Sequence, residues 1–234
     1  MKAVILAGGL GTRLKPFTEI IPKPLLPIGD KAILEIQIQR LKQAGVEEIF
    51  LATNYKSEYI SNFIGDGSRY DVKIVVSKEK KPLGTAGPIK LLEKYLDQNF
   101  IVMNGDILSL INYKKFSQFS LKTKSILSLA VKKDILPYDF GNIFFEGDFV
   151  TGIEEKPNIE LHILAGIYHM TPDIMRHIPE NTYFGMDDLI KSLISHSNPI
   201  SKYEMDEYWL DIGRVSDYES AEKDFKEKMN LFEQ

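Results

Sequence analysis

Near its start the chain runs Ala3-Val4-Ile5-Leu6-Ala7 straight into Gly8-Gly9-Leu10-Gly11-Thr12-Arg13. An apolar run of strand length, followed at once by glycines, constrains the fold more than any other stretch. A strand apolar on both faces belongs inside a sheet that is covered on both sides. Glycines at its carboxyl end let backbone N–H groups approach a ligand with no Cβ in the way. Successive turn amides of this kind form a nest for anions. The natural guest is a phosphate, yet the two commonest phosphate loops do not fit. A P-loop ends in Gly-Lys-Ser/Thr, whereas here the glycines lead to Thr12-Arg13-Leu14. A dinucleotide fingerprint needs a third glycine where Leu14 stands.

The rhythm of strand then helix recurs. Strand patterns at 3–7, 48–53, 72–77 and 100–103 alternate with helical spacing at 33–44, 57–64, 86–96 and 112–122. In the first of these helices Ile33, Ile36 and Leu41 share a face and Gly45 stops the run. This order predicts an α/β fold: a Rossmann-like, mostly parallel sheet flanked by helices on both faces. The second half is more mixed. Strands are expected at 125–131 and 164–170, and a hairpin from 142–145 and 149–153 around Glu146-Gly147-Asp148. Helices follow at 186–195 and 215–229, the last rich in Lys and Glu, with a final turn beyond about Lys226 free to fray. No linker, repeat or low-complexity tract interrupts the chain. Residues 1–234 therefore read as one domain, with a nucleotide-binding half over about 1–110 and a second half over about 111–225 that completes a pocket.

Bulk properties narrow the partners. A net charge of −4 argues against a nucleic-acid surface while leaving room for small phosphorylated ligands. The absence of cysteine excludes disulfides, thiolate metal sites and a cysteine nucleophile, and fits a cytoplasmic enzyme. No signal peptide and no apolar run of spanning length is present, so no membrane partner is expected. A homo-oligomer remains open.

Several residues are candidates for phosphate chemistry. Arg13 offers a planar fork to phosphate oxygens. Lys23 lies between Pro22 and Pro24, which stiffen the segment and disfavour helix, so it can return to the first loop. Asn104-Gly105-Asp106 follows an apolar strand, and in an open parallel sheet strand carboxyl ends line the ligand crevice. Asp106 there suits Mg²⁺ beside a triphosphate, or else caps a turn. Asp211, between apolar residues in Trp209-Leu210-Asp211-Ile212-Gly213, is a second metal ligand or a buried hydrogen-bonding group. Leu83-Gly84-Thr85-Ala86-Gly87 permits close approach of a flat base, with Thr85 alternatively an N-cap. Glu154-Glu155-Lys156-Pro157 is a solvated turn or a polar binding site.

Taken together, Gly8-Gly9-Leu10-Gly11-Thr12-Arg13-Leu14 with Pro16, Thr18 and Pro22-Lys23-Pro24 resembles the signature of the sugar-nucleotide pyrophosphorylases, nucleotidyltransferases that join a nucleoside triphosphate to a sugar 1-phosphate. The resemblance covers about residues 1–225 and implies a glycosyltransferase-A-like nucleotidyltransferase fold. It implies that Leu6, Ala7, Gly8, Gly9, Gly11 and Thr12 wrap the nucleotide, that Gly84 and Thr85 meet the base, that Arg13 holds the departing pyrophosphate, and that Lys23 contacts phosphate. It further implies Asp106 and Asp211 as Mg²⁺ ligands, and Asn104, Gly141, Glu155, Lys156, Ala165 and Gly166 as the sugar-phosphate side. Arg13, Lys23 and Asp106 are then the catalytic set. The L-G-T-A-G variant is most similar to the mannose-1-phosphate guanylyltransferase branch, which favours GTP, while UTP, dTTP or CTP remain alternatives. The stretch Tyr183-Phe184-Gly185-Met186-Asp187-Asp188 departs from the thymidylyl branch, which has an arginine there. A non-catalytic regulatory subunit of the same fold is the rival from another class; such a protein is expected to lose the very cations and carboxylates kept here.

Overall fold

The computed structural model describes residues 1–232. β1 (Lys2–Leu6) opens the chain and occupies the middle of a sheet. The glycine loop then passes through a 3₁₀ turn (Thr12–Leu14), a short helix α1 (Phe17–Ile20) and a second 3₁₀ turn (Lys23–Leu25). A minimal ribbon of β2 (Pro27–Ile28) and β3 (Lys31–Ala32) leads into α2 (Ile33–Gln43), where Ala32 N–H donates to Glu35 Oε2 across the first turn. There follow β4 (Glu48–Thr53), α3 (Ser57–Ile64), β5 (Lys73–Lys78), α4 (Gly87–Lys90), β6 (Phe100–Asn104), β7 (Ile107–Ser109) and α5 (Tyr113–Thr123). The second half supplies β8 (Leu127–Pro137), β9 (Asn142–Glu146), β10 (Phe149–Glu154), β11 (Asn158–Met170), α6 (Met186–Ser195), β12 (Ile200–Met205), β13 (Trp209–Asp211) and α7 (Val215–Phe232). Side chains of α7 are described through Glu227, and its backbone stays helical past Lys226 to Phe232, where the last turn was expected to fray.

Seven strands form one sheet in the order β12-β8-β11-β6-β1-β4-β5. β1 pairs in parallel with β4 and β6, β4 with β5, and β12 with β8. β11 alone runs against its neighbours β6 and β8. The sheet is thus mixed but mostly parallel, as expected, and strands of both halves share it. β1 explains its own sequence: Ala3 and Ile5 pack on one face with Leu34 and Leu41 of α2, and Val4 on the other with Ile89 of α4. α2, α3 and α5 cover the first face and α4 and α6 the second. A third cluster gathers Leu14, Ile33, Ile36, Ile212 and Phe225 beneath α7.

Some expectations need correction. The helix expected at 86–96 is broken. Only Gly87–Lys90 is α-helical, and Glu93–Tyr95 is a separate 3₁₀ turn. Leu92 N–H donates to Ile89 O and Tyr95 N–H to Leu92 O, bonds of three-residue span that tighten the chain, while Ile89, Leu92 and Leu96 still reach the core. Lys23, expected on a non-helical segment, sits at the start of a 3₁₀ turn with Pro24 in its first positions, where a missing N–H costs nothing. The strands expected at 125–131 and 164–170 are longer, reaching Pro137 and starting at Asn158. β2, β3, β7, β12 and β13 were not anticipated.

Candidate active site

The carboxyl ends of β1 and β6 lie side by side, with Leu6 in register with Asn104. Gly105 N–H donates to Leu6 O at 2.9 Å, so the turn bearing Asp106 is stitched to the glycine loop. A Cβ on Gly105 would stand 2.9 Å from Leu6 O and 3.4 Å from Cγ of Pro24, and only glycine lets the three segments meet. Above them opens a cleft of about 380 Å³. Leu6, Ala7, Gly8, Gly9, Asn104 and Asp106 line one side, Gly84 and Thr85 another, and Lys23 the floor. Gly11 does not line it. Its φ of +62° and the hydrogen bond from Thr18 Oγ1 to its carbonyl (2.8 Å) shape the loop from behind. Thr12 is exposed in the turn that follows.

Lys23 is 8% exposed and forms an ion pair with Asp106 through Oδ2. The other oxygen, Oδ1, is buried and has no hydrogen-bond partner. Asp211 stands next to this pair, because β13 runs antiparallel to β7 and Ile212 N–H donates to Asp106 O at 3.0 Å. Desolvation pushes the Asp211 carboxyl above its ordinary range, and the Asp106 charge adds to this; Lys23 and Arg13 pull it back. Arg13 reaches the same corner: its Nη2 lies 3.6 Å from where a Cβ on Gly213 would stand. Leu14, the residue that replaced the third glycine, is fully buried against Ile212 and Phe225. Its side chain anchors the loop to the strand end that carries Asp211.

The donor set fits a hard divalent cation. Two carboxylates, one with an unpartnered buried oxygen and one with a raised pKa, meet beside space for phosphate, and Mg²⁺ takes one or two carboxylates while keeping waters and phosphate oxygens. Among the described residues no group of three or more His, Cys, Asp or Glu forms a fuller cage.

The sugar-side candidates divide. Ala165 and Gly166 occupy a bulge in β11 between Leu164 and Tyr168, where Gly166 has φ +66° and its Cβ would stand 2.7 Å from Asn104 Nδ2. Trp209 Nε1 donates to Ala165 O at 2.8 Å, which ties the bulge to β13. Gly141 and Glu155 are neighbours, since a Cβ on Gly141 would lie 3.0 Å from Glu155 Oε2. Yet Gly141, Glu155 and Lys156 are exposed and do not line the cleft. They stand on the β9–β10 side, with Lys156 at φ +47°.

Two residues went unnoticed in the sequence. Glu79 follows β5, is 7% exposed and lines the cleft; its Oε2 accepts from Leu83 N–H at 2.8 Å, and its Oε1 would lie 3.0 Å from a Cβ on Gly8. Burial raises its carboxyl, opposed by hydrogen bonds from Leu83 and Asn54. Gln37 of α2 is buried, and its Nε2 donates both to Asn104 O (2.9 Å) and to Ile107 O (2.8 Å), spanning the Asp106 turn. Neither lies in a glycine-rich or acidic motif. Gln37 stands between Ile36 and Ile38, the one signal it offers, whereas Glu79 sits in the charged run Lys78-Glu79-Lys80-Lys81, which reads as solvated surface. Thr85 serves as a cap, but of another helix: its Oγ1 accepts from Met186 N–H, at the start of α6, at 2.7 Å. Gly84, with φ +82°, passes so close to Phe184 O that a Cβ would stand 2.6 Å away. The arginine-free stretch 183–188 therefore packs beside the 83–87 segment, and Tyr183 lines the cleft there.

A mostly parallel sheet with one reversed strand, and a cleft at the carboxyl ends of β1 and β6, define a glycosyltransferase-A-like α/β protein. Residues 2–228 match the family described as "Nucleotidyl transferase", and the chain belongs to it. Among similar proteins, "Probable mannose-1-phosphate guanylyltransferase 1" of Oryza sativa subsp. japonica is 36% identical over 93% of this chain, and "Mannose-1-phosphate guanyltransferase" of Aspergillus oryzae is 34% identical over 94%. In both cases the match spans 63% of the relative's length. A crystal structure of HddC from Yersinia pseudotuberculosis superposes with a TM-score of 0.76 at 33% identity, covering 96% of this chain and 99% of that one. The same protein complexed with GMP-PN gives 0.75 at 32% identity over 96% and 99%.

Proposed function

We propose that the chain transfers a nucleotidyl group from GTP to a hexose or heptose 1-phosphate of the mannose-1-phosphate kind, releasing pyrophosphate and forming the nucleotide sugar. One observation carries the reading: Arg13, Lys23, Asp106 and Asp211, far apart in sequence, gather within electrostatic reach of one another, and two of them, Lys23 and Asp106, line a cleft walled by glycine backbone. An anionic oxygen of the sugar phosphate forms a bond to the α-phosphorus. The bond from that phosphorus to the α,β-bridging oxygen breaks, and its electron pair leaves on pyrophosphate. The nucleophile is already ionised, so no side chain has to take a proton. The work of the protein is alignment and compensation of charge.

In this reading the glycine loop receives the triphosphate and Arg13 stabilises charge developing on the leaving pyrophosphate. Lys23 exchanges its bond to Asp106 for one to a phosphate oxygen. Asp106 and Asp211 would hold Mg²⁺, and the ion would supply further charge neutralisation. Asn104, Gly141, Glu155, Lys156, Ala165 and Gly166 serve the sugar phosphate. The whole chain acts as one nucleotidyltransferase domain in an aqueous, cytoplasmic setting, on small molecules and not on nucleic acid. Of the common bases, guanine alone presents two adjacent donors, N1–H and N2–H₂, to a carboxylate, and Glu79 is the acidic group beside Gly8 on the cleft wall. The HddC structure with GMP-PN supports the same choice.

The test is pyrophosphate release from GTP, UTP, dTTP and CTP, each against a panel of sugar 1-phosphates. GTP with mannose 1-phosphate or a close analogue is expected to give the highest kcat/KM. No release from any pair overturns the catalytic reading. Preference for another nucleotide overturns the assignment of guanine alone.

A further inference from the structure

The short helix α1 lies between Arg13 and Lys23, and little of its own holds it in place. A helix of one turn is not stable by itself in water. Only Thr18 of α1 is buried, and Ile20 is 75% exposed. The Phe17 ring rests 5.9 Å from that of Tyr218, and the surface pair of Lys15 with Glu19 contributes little. A helix end also leaves its last four carbonyls without intrahelical donors. In α1, Ile21 N–H answers Phe17 O, and one side chain from elsewhere in the chain answers the other three. Lys56 Nζ donates to Thr18 O at 3.5 Å, to Glu19 O at 2.5 Å and to Ile20 O at 2.8 Å. An ammonium carries three donors, and here each meets a carbonyl.

Lys56 is itself held for this task. It opens α3 at φ +50°, a left-handed conformation that a lysine keeps where its surroundings over-determine it. The rings of Tyr55 and Tyr59 lie 5.2 and 5.6 Å from its ammonium. Two nearby carboxylates are engaged elsewhere, Glu19 with Lys15 and Glu58 with Lys78. What α1 touches in turn gives the contact its meaning. Thr18 Oγ1 donates to Gly11 O at 2.8 Å, and a Cβ on Gly11 would stand 2.7 Å from Thr18 Cγ2 and 3.3 Å from Lys23 Cβ. Gly11 immediately precedes the 3₁₀ turn that bears Arg13. At the other end of the loop Ala7 N–H donates to Ala52 O, at 2.7 Å, in the strand that leads to Lys56. The segment 8–23 is thus tied to the β4–α3 connection at two points, and Asn54 of that connection lines the cleft.

We propose that Lys56 is a positioning residue: by capping α1 it fixes the turn that presents Arg13 and the segment that presents Lys23 to the triphosphate. It does not line the cleft and acts through α1, Thr18 and Gly11. Its effect on turnover rests on the proposed function, whereas the cap itself does not.

The experiment compares the full chain with Lys56→Met, which keeps the apolar stem and removes the donors, with Lys56→Arg, which keeps charge and donors, and with Lys78→Met, a control that removes the lysine paired with Glu58 of α3. Hydrogen exchange on the ligand-free proteins reads the cap directly. The amides of Leu14, Glu19 and Ile21, bonded within the loop, are expected to exchange about tenfold faster in Lys56→Met, with α3 and the sheet unchanged. In steady-state kinetics the same variant is expected to lose roughly tenfold or more in kcat/KM for GTP, the scale of a small misplacement of the reacting groups, while KM for the sugar 1-phosphate stays put. Lys56→Arg should recover most of both losses, and Lys78→Met should show neither. Unchanged exchange in the loop, faster exchange throughout α3, an unaltered kcat/KM for GTP in an active enzyme, or an arginine variant as impaired as the methionine one overturns the proposal. Should Lys56→Met fail to fold, Lys56→Gln, with two donors and no charge, takes its place with the same direction of effect, and unchanged loop exchange there overturns it equally. Inactivity of the unaltered chain with every nucleotide would strike the proposed function and leave the exchange measurement to decide the cap.

Discussion

Lys23 and Asp106 compensate one another while the cleft holds no phosphate, and this changes how either can be probed. Removing the carboxylate leaves an ammonium that is nearly buried. Breaking a buried pair from one side costs roughly 3–5 kcal/mol, and this partly exposed one lies below that. Asp106→Ala is therefore expected to lose both turnover and stability, the latter by about 2 kcal/mol. Asp106→Asn keeps the shape and a hydrogen-bonding oxygen toward Lys23. It should retain most of the stability while kcat falls a hundredfold or more, on the scale of losing one preorganised electrostatic group. Pyrophosphate release together with urea denaturation checks both variants. Full activity in a folded Asp106→Asn protein would remove the metal role. At this scale the sequence was most legible where residue type alone restricts chemistry. Glycines, Arg13, Lys23 and the two aspartates stand out because their neighbours are apolar or turn-forming. Glu79 and Gln37 did not: Glu79 belongs to the charged run 78–81 and Gln37 to an amphipathic helix, and each reads as an ordinary surface position until the fold turns it inward.

Among the elements, α2 contributes more than an apolar face. Its Gln37 side chain ties the carbonyls at residues 104 and 107 on either side of Gly105-Asp106. Gln37→Leu keeps the volume and removes both donors. Expected are a stability loss of about 1–3 kcal/mol and a raised Mg²⁺ requirement for activity, with little change in nucleotide KM. Titrating activity with Mg²⁺ separates this from simple destabilisation, which would lower the amount of active enzyme without shifting the metal dependence. The alternation of strands and helices was legible here because β1, β4 and β6 are buried on both faces and carry unbroken apolar runs. The outer parts of β8 and β11 were not, since strands that leave the sheet lose the burial that writes a pattern into sequence. β13 and β7 were hidden for a related reason: three residues each, they are held by pairing across a hundred residues of chain and not by local propensity.

For the molecule as a whole, acid sensitivity has an identifiable source. His169 lies in the middle of the sheet, 2% exposed, with the edge of Phe116 against it and Nδ1 buried without a hydrogen-bond partner. Burial pushes its pKa down to about 4 from 6.5. The folded protein keeps the ring neutral while the unfolded chain protonates it below pH 6.5. Its contribution is thus complete above pH 6.5 and is lost progressively as pH falls toward about 4, a total of ~3 kcal/mol. Denaturation at a series of pH values should show this slope, and His169→Gln should flatten it. An unchanged slope would assign the acid sensitivity to other groups.

The anchorage of Leu14 has a consequence for how the protein is made. On the ribosome the glycine loop, Arg13 and Lys23 emerge early, but Leu14 acquires its packing against Ile212 and Phe225 only after most of the chain has followed. Asp211 arrives with them. Through most of its synthesis the nascent chain therefore holds one end of the proposed phosphate clamp with nothing to close it. Under the proposed function, a nucleoside triphosphate meets a complete site only when translation has passed α7.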